Sequence, residues 1–198
     1  RYLRKNQTII LESTTYPGTT TEMELKYLKN KNIKYYLAYS PERVNPSDTL
    51  YETSNTTKII GANEKSSLIK AKNFYSKIFK KISLTDSTKK AEVSKLYENI
   101  YRSINISFAN EMKFLLRKFQ IDIWDVIELC KTKTKGFTAF YPGPGTGGHC
   151  IPIDPTYFLW KINKIGFDSK FIKASNFINN NTTNIIKENV LKICKKIK

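Results

Sequence analysis

The sequence predicts an α/β region followed by an all-α region, and three observations carry that expectation. Over residues 1–86, short runs rich in Ile, Thr and Tyr alternate with helical stretches, the pattern of strands joined by helical crossovers. From Ser87 to about Phe119 there is neither Gly nor Pro, and apolar residues recur at helical spacing through Val93, Leu96, Ile100, Ile104, Phe108, Met112, Leu115 and Phe119. With 198 residues, 40% of them hydrophobic and 13% aromatic, the chain can bury a core.

In order, residues 7–12 read as a buried strand, followed by the turn Ser13-Thr14-Thr15-Tyr16-Pro17-Gly18 and a helix from about Thr20 to Lys31. A strand from Lys34 to Tyr39 leads into the loop Ser40-Pro41-Glu42-Arg43-Val44-Asn45-Pro46. A strand from Thr57 to Gly61, an amphipathic helix from about Glu64 to Phe79 and a short strand from Lys81 to Leu84 complete this region. Such alternation implies parallel pairing. Ligands of parallel sheets sit beyond the strand C-termini, where Ser13, Thr14 and Glu42 fall.

Asp86 is a good N-cap for the long helix, which at 1.5 Å per residue spans roughly 50 Å. A helix of that length suits a connection between two domains, 1–86 and 87–198. On it Lys95, Asn99 and Arg102 stand at i, i+4 and i+7, within roughly 60° of one another around the axis. A solvated polar stripe would read the same way. A helix from about Ile123 to Lys131 follows, then a Gly/Pro loop. Asp154-Pro155 offers an N-cap and a proline at N1 for a helix ending near Lys164. The remainder from Lys170 is helical, with a break near Asn179-Asn180-Asn181 as the point of weakness.

Composition narrows the function. No run approaches the roughly 18 apolar residues of a membrane span, and no signal peptide opens the chain. Because it starts at Arg1 ahead of a strand-like segment, it reads as a piece of something longer. Cys130, Cys150 and Cys194 are odd in number and far apart, no CxxC pair is present, and His149 is the single histidine. A zinc site would be short of ligands, so no metal is expected, and a reducing cytoplasm fits. The net charge of +17 invites a nucleic-acid reading, yet the lysines are spread rather than clustered. No nucleic-acid partner is expected; a phosphate-bearing ligand suits such a surface.

The stretch Phe140 to Pro155 packs four glycines, four prolines, His149, Cys150 and Asp154 into sixteen residues. Glycine permits positive φ and close approach to a ligand, and proline stiffens the backbone between those points. One reading is a loop that presents a nucleophile; the other is an ordinary connector with a buried cysteine. A cysteine near a helix start and a lysine has the surroundings that activate a thiol. Lys95 could supply that charge or steady an oxyanion, and Asp154 could activate a water. The loop lacks the GK[ST] ending of a phosphate-binding loop and the strand-GxGxxG-helix context of a dinucleotide fingerprint. These residues describe a cysteine-dependent enzyme.

The loop Gly143-Pro-Gly-Thr-Gly-Gly-His-Cys-Ile-Pro-Ile-Asp-Pro155 closely resembles the catalytic-cysteine signature of the UDP-sugar 6-dehydrogenases, in the branch that oxidises N-acetylhexosamines. Ser13-Thr14 resembles that family's cofactor-side turn, Ser40-Pro41-Glu42-Arg43-Val44 its substrate loop, and Glu92-xx-Lys95-xxx-Asn99-xx-Arg102 its connecting helix. The resemblance implies the second half of a Rossmann-like NAD domain joined by a long helix to a helical central domain that serves for dimerisation. It further implies oxidation of the sugar C6 alcohol to a carboxylate with two NAD+, through a thiohemiacetal and a thioester on Cys150. By the same resemblance Lys95 steadies the oxyanion, Asp154 assists proton transfer and hydrolysis, and Thr14 and Glu42 hold water near the reacting carbon. Ser13 and Thr14 would contact the cofactor, and Arg43, Val44, Lys95, Asn99, Arg102 and Gly147 the UDP-sugar.

Departures qualify the substrate. Some glucose-oxidising relatives carry a second glutamate where Pro46 stands. N-acetylmannosamine enzymes carry His-Pro-Arg ahead of the loop, whereas Lys133-Thr134-Lys135 stands here; Gly136 to Pro142 looks more like the N-acetylglucosamine enzymes. The family's amino-terminal GxGxxG strand and carboxy-terminal nucleotide-binding domain have no counterpart in the sequence. The 198-residue stretch by itself is therefore expected to be inactive, although it could dimerise through its central helices or serve only as a binding module.

Overall fold

β1 (Gln7–Leu11) and β2 (Tyr35–Tyr39) are short runs of β-branched, aromatic and apolar residues that pair in parallel from Gln7↔Tyr35 to Leu11↔Tyr39. The computed structural model describes residues 2–29, 32–43 and 55–197. Between these strands the predicted helix forms as α1 (Thr19–Met23), continued by a π-type turn over Glu24–Leu28. β3 (Lys58–Gly61), α2 (Lys65–Tyr75) and β4 (Ile82–Thr85) follow, and β3 pairs with β4 in parallel.

The sheet order is β1-β2-β3-β4, but β2 and β3 meet antiparallel at Tyr39↔Gly61. This corrects the expectation of parallel pairing throughout. A parallel connection needs a crossover, usually a helix, and the sequence between β2 and β3 carries Pro41, Pro46 and no helical period. The start of β3 consequently lies at the same sheet edge as the ends of β1 and β2.

The chain divides into two compact units, Arg1–Tyr97 and Glu98–Lys198. In the first, Ala38, Ile60, Ala62, Ala71, Tyr75 and Phe79 form the core, with Ile10, Leu68 and Ile82 packed against it. α3 (Thr88–Leu116) starts in this unit and continues into the second, ending in a 3-10 turn over Arg117–Phe119. Its cap is not Asp86. The Ser87 hydroxyl accepts from Lys90 N–H at 3.4 Å and Asn63 Oδ1 accepts from Thr88 N–H at 3.1 Å, while Asp86 pairs with Lys90 at 2.7 Å. An asparagine from the loop before α2 takes the Thr88 N–H and Ser87 the Lys90 N–H, leaving neither donor for Asp86 to cap.

The second unit adds α4 (Ile123–Lys131), α5 (Cys150–Lys164) and α6 (Lys170–Ile197). α4 is capped by Asp122, whose side chain accepts from Trp124 N–H at 3.0 Å. α5 begins five residues earlier than Asp154-Pro155 suggested, at Cys150 rather than Pro155. The first turn of a helix has no intrahelical use for its N–H groups, so Pro152 costs nothing there and Pro155 forfeits one bond. Asp154 is thereby freed from capping and turned inward. α6 runs unbroken through the asparagine run because Asn179 faces the interior, donating from Nδ2 to Ser103 O at 3.0 Å and Ser103 Oγ at 3.2 Å. The buried face of α3 in this unit is correspondingly polar and small, with Asn99, Ser103, Ser107 and Asn110 buried. The apolar series read from the sequence is partly outside: Phe108, Leu115 and Phe119 are exposed.

Gly61, the last residue of β3, tests the packing of α3 on the sheet. A Cβ there would lie 2.5 Å from Ser87 O and 2.7 Å from Ala91 Cβ. Gly61→Ala should destabilise the first unit by about 1–3 kcal/mol through overpacking, read as a lower urea midpoint at unchanged slope.

Candidate active site

The Gly/Pro loop is pinned at its start and open at its end. Gly143 N–H donates to Asn110 Oδ1 of α3 at 2.8 Å, and Thr183 Oγ1 of α6 donates to Pro144 O at 2.8 Å. Gly145 takes φ 106°, and a Cβ there would lie 2.7 Å from Asn179 O, so only glycine passes between the loop and α6. Upstream, Tyr141 stacks on Trp124 with centroids 5.3 Å apart and donates to Glu128 Oε1 at 2.9 Å. Beyond Gly145 the restraint ends: Gly147 and Gly148 are exposed, with nothing within 4 Å of an added Cβ.

Cys150 follows as the first residue of α5, and its thiol is free and exposed. That excludes the buried-cysteine connector. One turn along, Asp154 is 3% exposed and accepts a hydrogen bond from Asn99 Nδ2 at 2.5 Å. A carboxylate removed from water needs such a donor, and the bond fixes which way it faces. Arg102, also on α3, is exposed.

In the first unit the turn after β1 is fastened from α3 by a residue that the sequence reading did not place in the site. Glu92 is fully buried, and its carboxylate accepts from Gly18 N–H at 2.5 Å, Thr20 N–H at 2.9 Å and Thr20 Oγ1 at 2.6 Å. It thus caps α1 from outside and closes the Ser13–Gly18 turn, within which Ser13 is exposed and Thr14 partly buried. Tyr39 Oη donates to Ser13 O at 3.2 Å. Lys95, one turn beyond Glu92, is partly buried. Its place in the resembled motif was the signal for Glu92; its partners, 72 and 74 residues away, were not legible.

At the edge formed by the end of β1, the end of β2 and the start of β3, Lys58 Nζ lies 3.1 Å from Glu12 Oε1 and 3.6 Å from Glu42 Oε2. Tyr75 Oη donates to Glu12 Oε1 at 2.5 Å. Arg43 N–H donates to Glu42 Oε1 at 2.8 Å and Arg43 Nη1 to Thr57 O at 2.8 Å. Burial alone would raise the Glu12 carboxyl, but hydrogen bonds from Tyr75 and Lys58 and the Lys58 charge together hold it below its ordinary value of 4.5. Burial, then the bond to Glu12, pushes the Tyr75 hydroxyl well above its ordinary value.

The predicted residues thus fall in two groups. Ser13, Thr14, Glu42, Arg43 and Lys95 lie in the first unit; Asn99, Arg102, Gly147, Cys150 and Asp154 lie in the second, where Asn99 and Asp154 are joined. Val44 lies outside the described residues. Among the described residues no group of three or more His, Cys, Asp or Glu could hold a metal ion, and no helix is long and apolar enough to cross a membrane.

Residues 1–82 match the NAD binding domain of the UDP-glucose/GDP-mannose dehydrogenase family, and residues 89–181 match its central domain. The chain belongs to this family. Among its relatives, a UDP-N-acetyl-D-mannosamine dehydrogenase of Methanocaldococcus jannaschii is 39% identical over 196 residues, covering 98% of this chain and 44% of the relative. A UDP-N-acetyl-D-glucosamine 6-dehydrogenase of Salmonella typhi is 32% identical over 196 residues, covering 96% and 46%. The solved structure of a UDP-D-ManNAc dehydrogenase from Pyrococcus horikoshii superposes with a TM-score of 0.83 at 32% identity, covering 95% of this chain and 45% of that one. The chain therefore spans about half the length of the curated relatives it matches.

The match supports the expected architecture, an NAD-binding Rossmann-like domain followed by a helical central domain. The residues present fit a dinucleotide in part. Two N–H groups at the start of α1, those of Gly18 and Thr20, are taken by Glu92, so this helix start is no pyrophosphate cradle. The exposed Ser13 and the neighbouring Thr14, just past the end of β1, stand where a ligand of such a sheet is met.

Two outcomes test this geometry. Glu92→Ala, which strands two buried N–H donors and a hydroxyl, should lower the stability of the first unit by about 2–3 kcal/mol in urea unfolding. Because the Glu12 carboxyl is lowered in the fold, its contribution is complete above 4.5 and lost as pH falls through the folded value. Glu12→Gln should therefore flatten the acid limb of the stability–pH curve below about 4.5, leaving the part due to other carboxylates.

Proposed function

We propose that the protein to which this chain belongs oxidises the C6 alcohol of a UDP-N-acetylhexosamine to a carboxylate, using two NAD+ in succession and Cys150 as nucleophile. One observation carries the reading: an exposed Cys150 opens α5 directly after a glycine loop anchored on α3 and α6, with a buried, oriented Asp154 one turn away. The reaction balances as R–CH2OH + 2 NAD+ + H2O giving R–COO− + 2 NADH + 3 H+. NAD+, when bound, supplies the hydride acceptor; the chain's residues supply the rest.

Cys150 Sγ adds to the C6 aldehyde to give a thiohemiacetal, and loss of a second hydride leaves a thioester that water cleaves. The sulfur bond retains the half-oxidised carbon between the two oxidations, which explains why a thiol is required. Lys95 steadies the oxygen that carries negative charge at each tetrahedral stage. Asp154, held by Asn99, takes the proton from the attacking water. Thr14 and Glu42 order water beside the reacting carbon. Ser13 and Thr14 face the cofactor, and Arg43, Val44, Asn99, Arg102 and Gly147 contact the nucleotide sugar. A net charge of +17 favours capture of a diphosphate.

The 39% identical relative bears an N-acetylmannosamine name and the 32% identical one an N-acetylglucosamine name. We give the former more weight than the glucosamine-like stretch Gly136 to Pro142, and take UDP-N-acetylmannosamine as the first substrate to try. Phe108, Leu115 and Phe119, exposed on or just after α3, support a homodimer through the central helices. Three free cysteines suit a reducing cytoplasm.

The full-length protein should release two NADH per sugar from UDP-N-acetylmannosamine or UDP-N-acetylglucosamine, and Cys150→Ala should lose that activity by a factor of about 10⁴ or more. Turnover of neither sugar by folded protein would refute the reading; turnover of UDP-glucose alone would move it to the glucose branch.

A further inference from the structure

Lys58 is the one buried cation among the described residues, it stands at the ligand edge of the sheet, and nothing in the mechanism above uses it. It is 3% exposed, and its ammonium lies over the rings of Tyr75 at 4.9 Å and Phe79 at 5.2 Å. Taking an ammonium out of water is costly, and a well-packed apolar side chain in such a place is often neutral or stabilising. A stability argument therefore does not explain a lysine here. Its two carboxylates do. Glu12, just past the end of β1, and Glu42, just past the end of β2, flank it at 3.1 and 3.6 Å, and both are roughly half exposed.

The start of β3 and the residue before it fasten the loop that carries Glu42 at two further points. Ser40 Oγ donates to Ile59 O at 2.7 Å, and Arg43 Nη1 donates to Thr57 O at 2.8 Å. Residues 57, 58 and 59 thus each hold one residue of the loop, and Lys58 is the one that reaches a side-chain carboxylate. Its own position is fixed from behind by the two rings and by Glu12, which Tyr75 Oη in turn holds at 2.5 Å.

We infer that Lys58 is a positioning residue for Glu42: a rigid buried cation, braced by Tyr75, Phe79 and Glu12, that fixes the direction in which the Glu42 carboxylate meets the reacting centre. The inference rests on the assignment of Glu42 to that centre under the proposed function. An exposed glutamate samples several rotamers, and a carboxylate that must order water beside a reacting carbon loses effect with each misplacement. Arg43 N–H and Lys58 Nζ approach different oxygens of Glu42, Oε1 and Oε2, so together they set both position and tilt of the carboxylate plane.

The test is a double-mutant cycle in the full-length protein with the UDP-N-acetylhexosamine that it turns over. Lys58→Met should lower kcat by roughly ten- to a hundredfold, with KM for NAD+ changed by no more than about twofold. In a Glu42→Gln background the same change should cost less than about threefold, because the residue that Lys58 acts through has already been altered. Lys58→Arg, which keeps the charge, should recover most of the rate. Should Lys58→Met fail to fold by thermal melting, Lys58→Gln, which retains a donor for Glu12, enters the same cycle. An equal loss in both backgrounds, or full activity of Lys58→Met, overturns the inference while leaving the role of Glu42 intact. Full activity of Glu42→Gln overturns the assignment of Glu42, and the inference falls with it.

Discussion

The polar face of α3 is the constraint on which the rest of the structure depends. A buried donor or acceptor without a partner costs about 1–3 kcal/mol, so the polar residues on that face whose partners lie on other elements dictate what docks against it. Within the first unit Glu92 gathers Gly18 and Thr20 and thereby shapes the turn that carries Ser13 and Thr14. Within the second, Asn99 orients Asp154, Ser103 receives Asn179, and Asn110 holds Gly143. Apolar packing alone would tolerate sliding of one helix along another. Directional bonds from one helix do not, and they set where the Cys150 loop begins.

A second device works at the edge of the sheet. The antiparallel entry of β3 brings its first residues to the ends of β1 and β2, which a uniformly parallel sheet would not do. That reversal is what allows one buried lysine to meet carboxylates that follow two strands, and what makes the entry into β3 the anchor of the Ser40–Arg43 loop.

Much of this was legible in the chain itself, and the exceptions have physical causes. β1, α4 and the long α3 announce themselves because local composition decides them: a β-branched run, an apolar run at helical spacing, and a stretch free of Gly and Pro. The thirteen residues from Gly143 to Pro155 carry the family resemblance; their composition alone left a connector equally open. What failed was decided at a distance. Asp154-Pro155 has the local form of a helix start, but a bond from Asn99, 55 residues away, turned the aspartate inward. The asparagine run looked like a break until Ser103 supplied a partner 76 residues away. Lys58 looked like one lysine among many, because no local signal separates a buried cation from a solvated one.

The central claim is that Cys150 carries the sugar between its two oxidations. It is tested most directly by trapping the acyl group in the full-length Asp154→Asn protein, in which hydrolysis should lag behind oxidation. After incubation with NAD+ and the UDP-N-acetylhexosamine, acid quenching and proteolysis, the mass of each cysteine peptide is read. The account predicts the mass of the uronyl nucleotide on the Cys150 peptide alone, appearing only when both substrates are present. Turnover to the acid with Cys150 unmodified, or label on Cys130 or Cys194 instead, would contradict it.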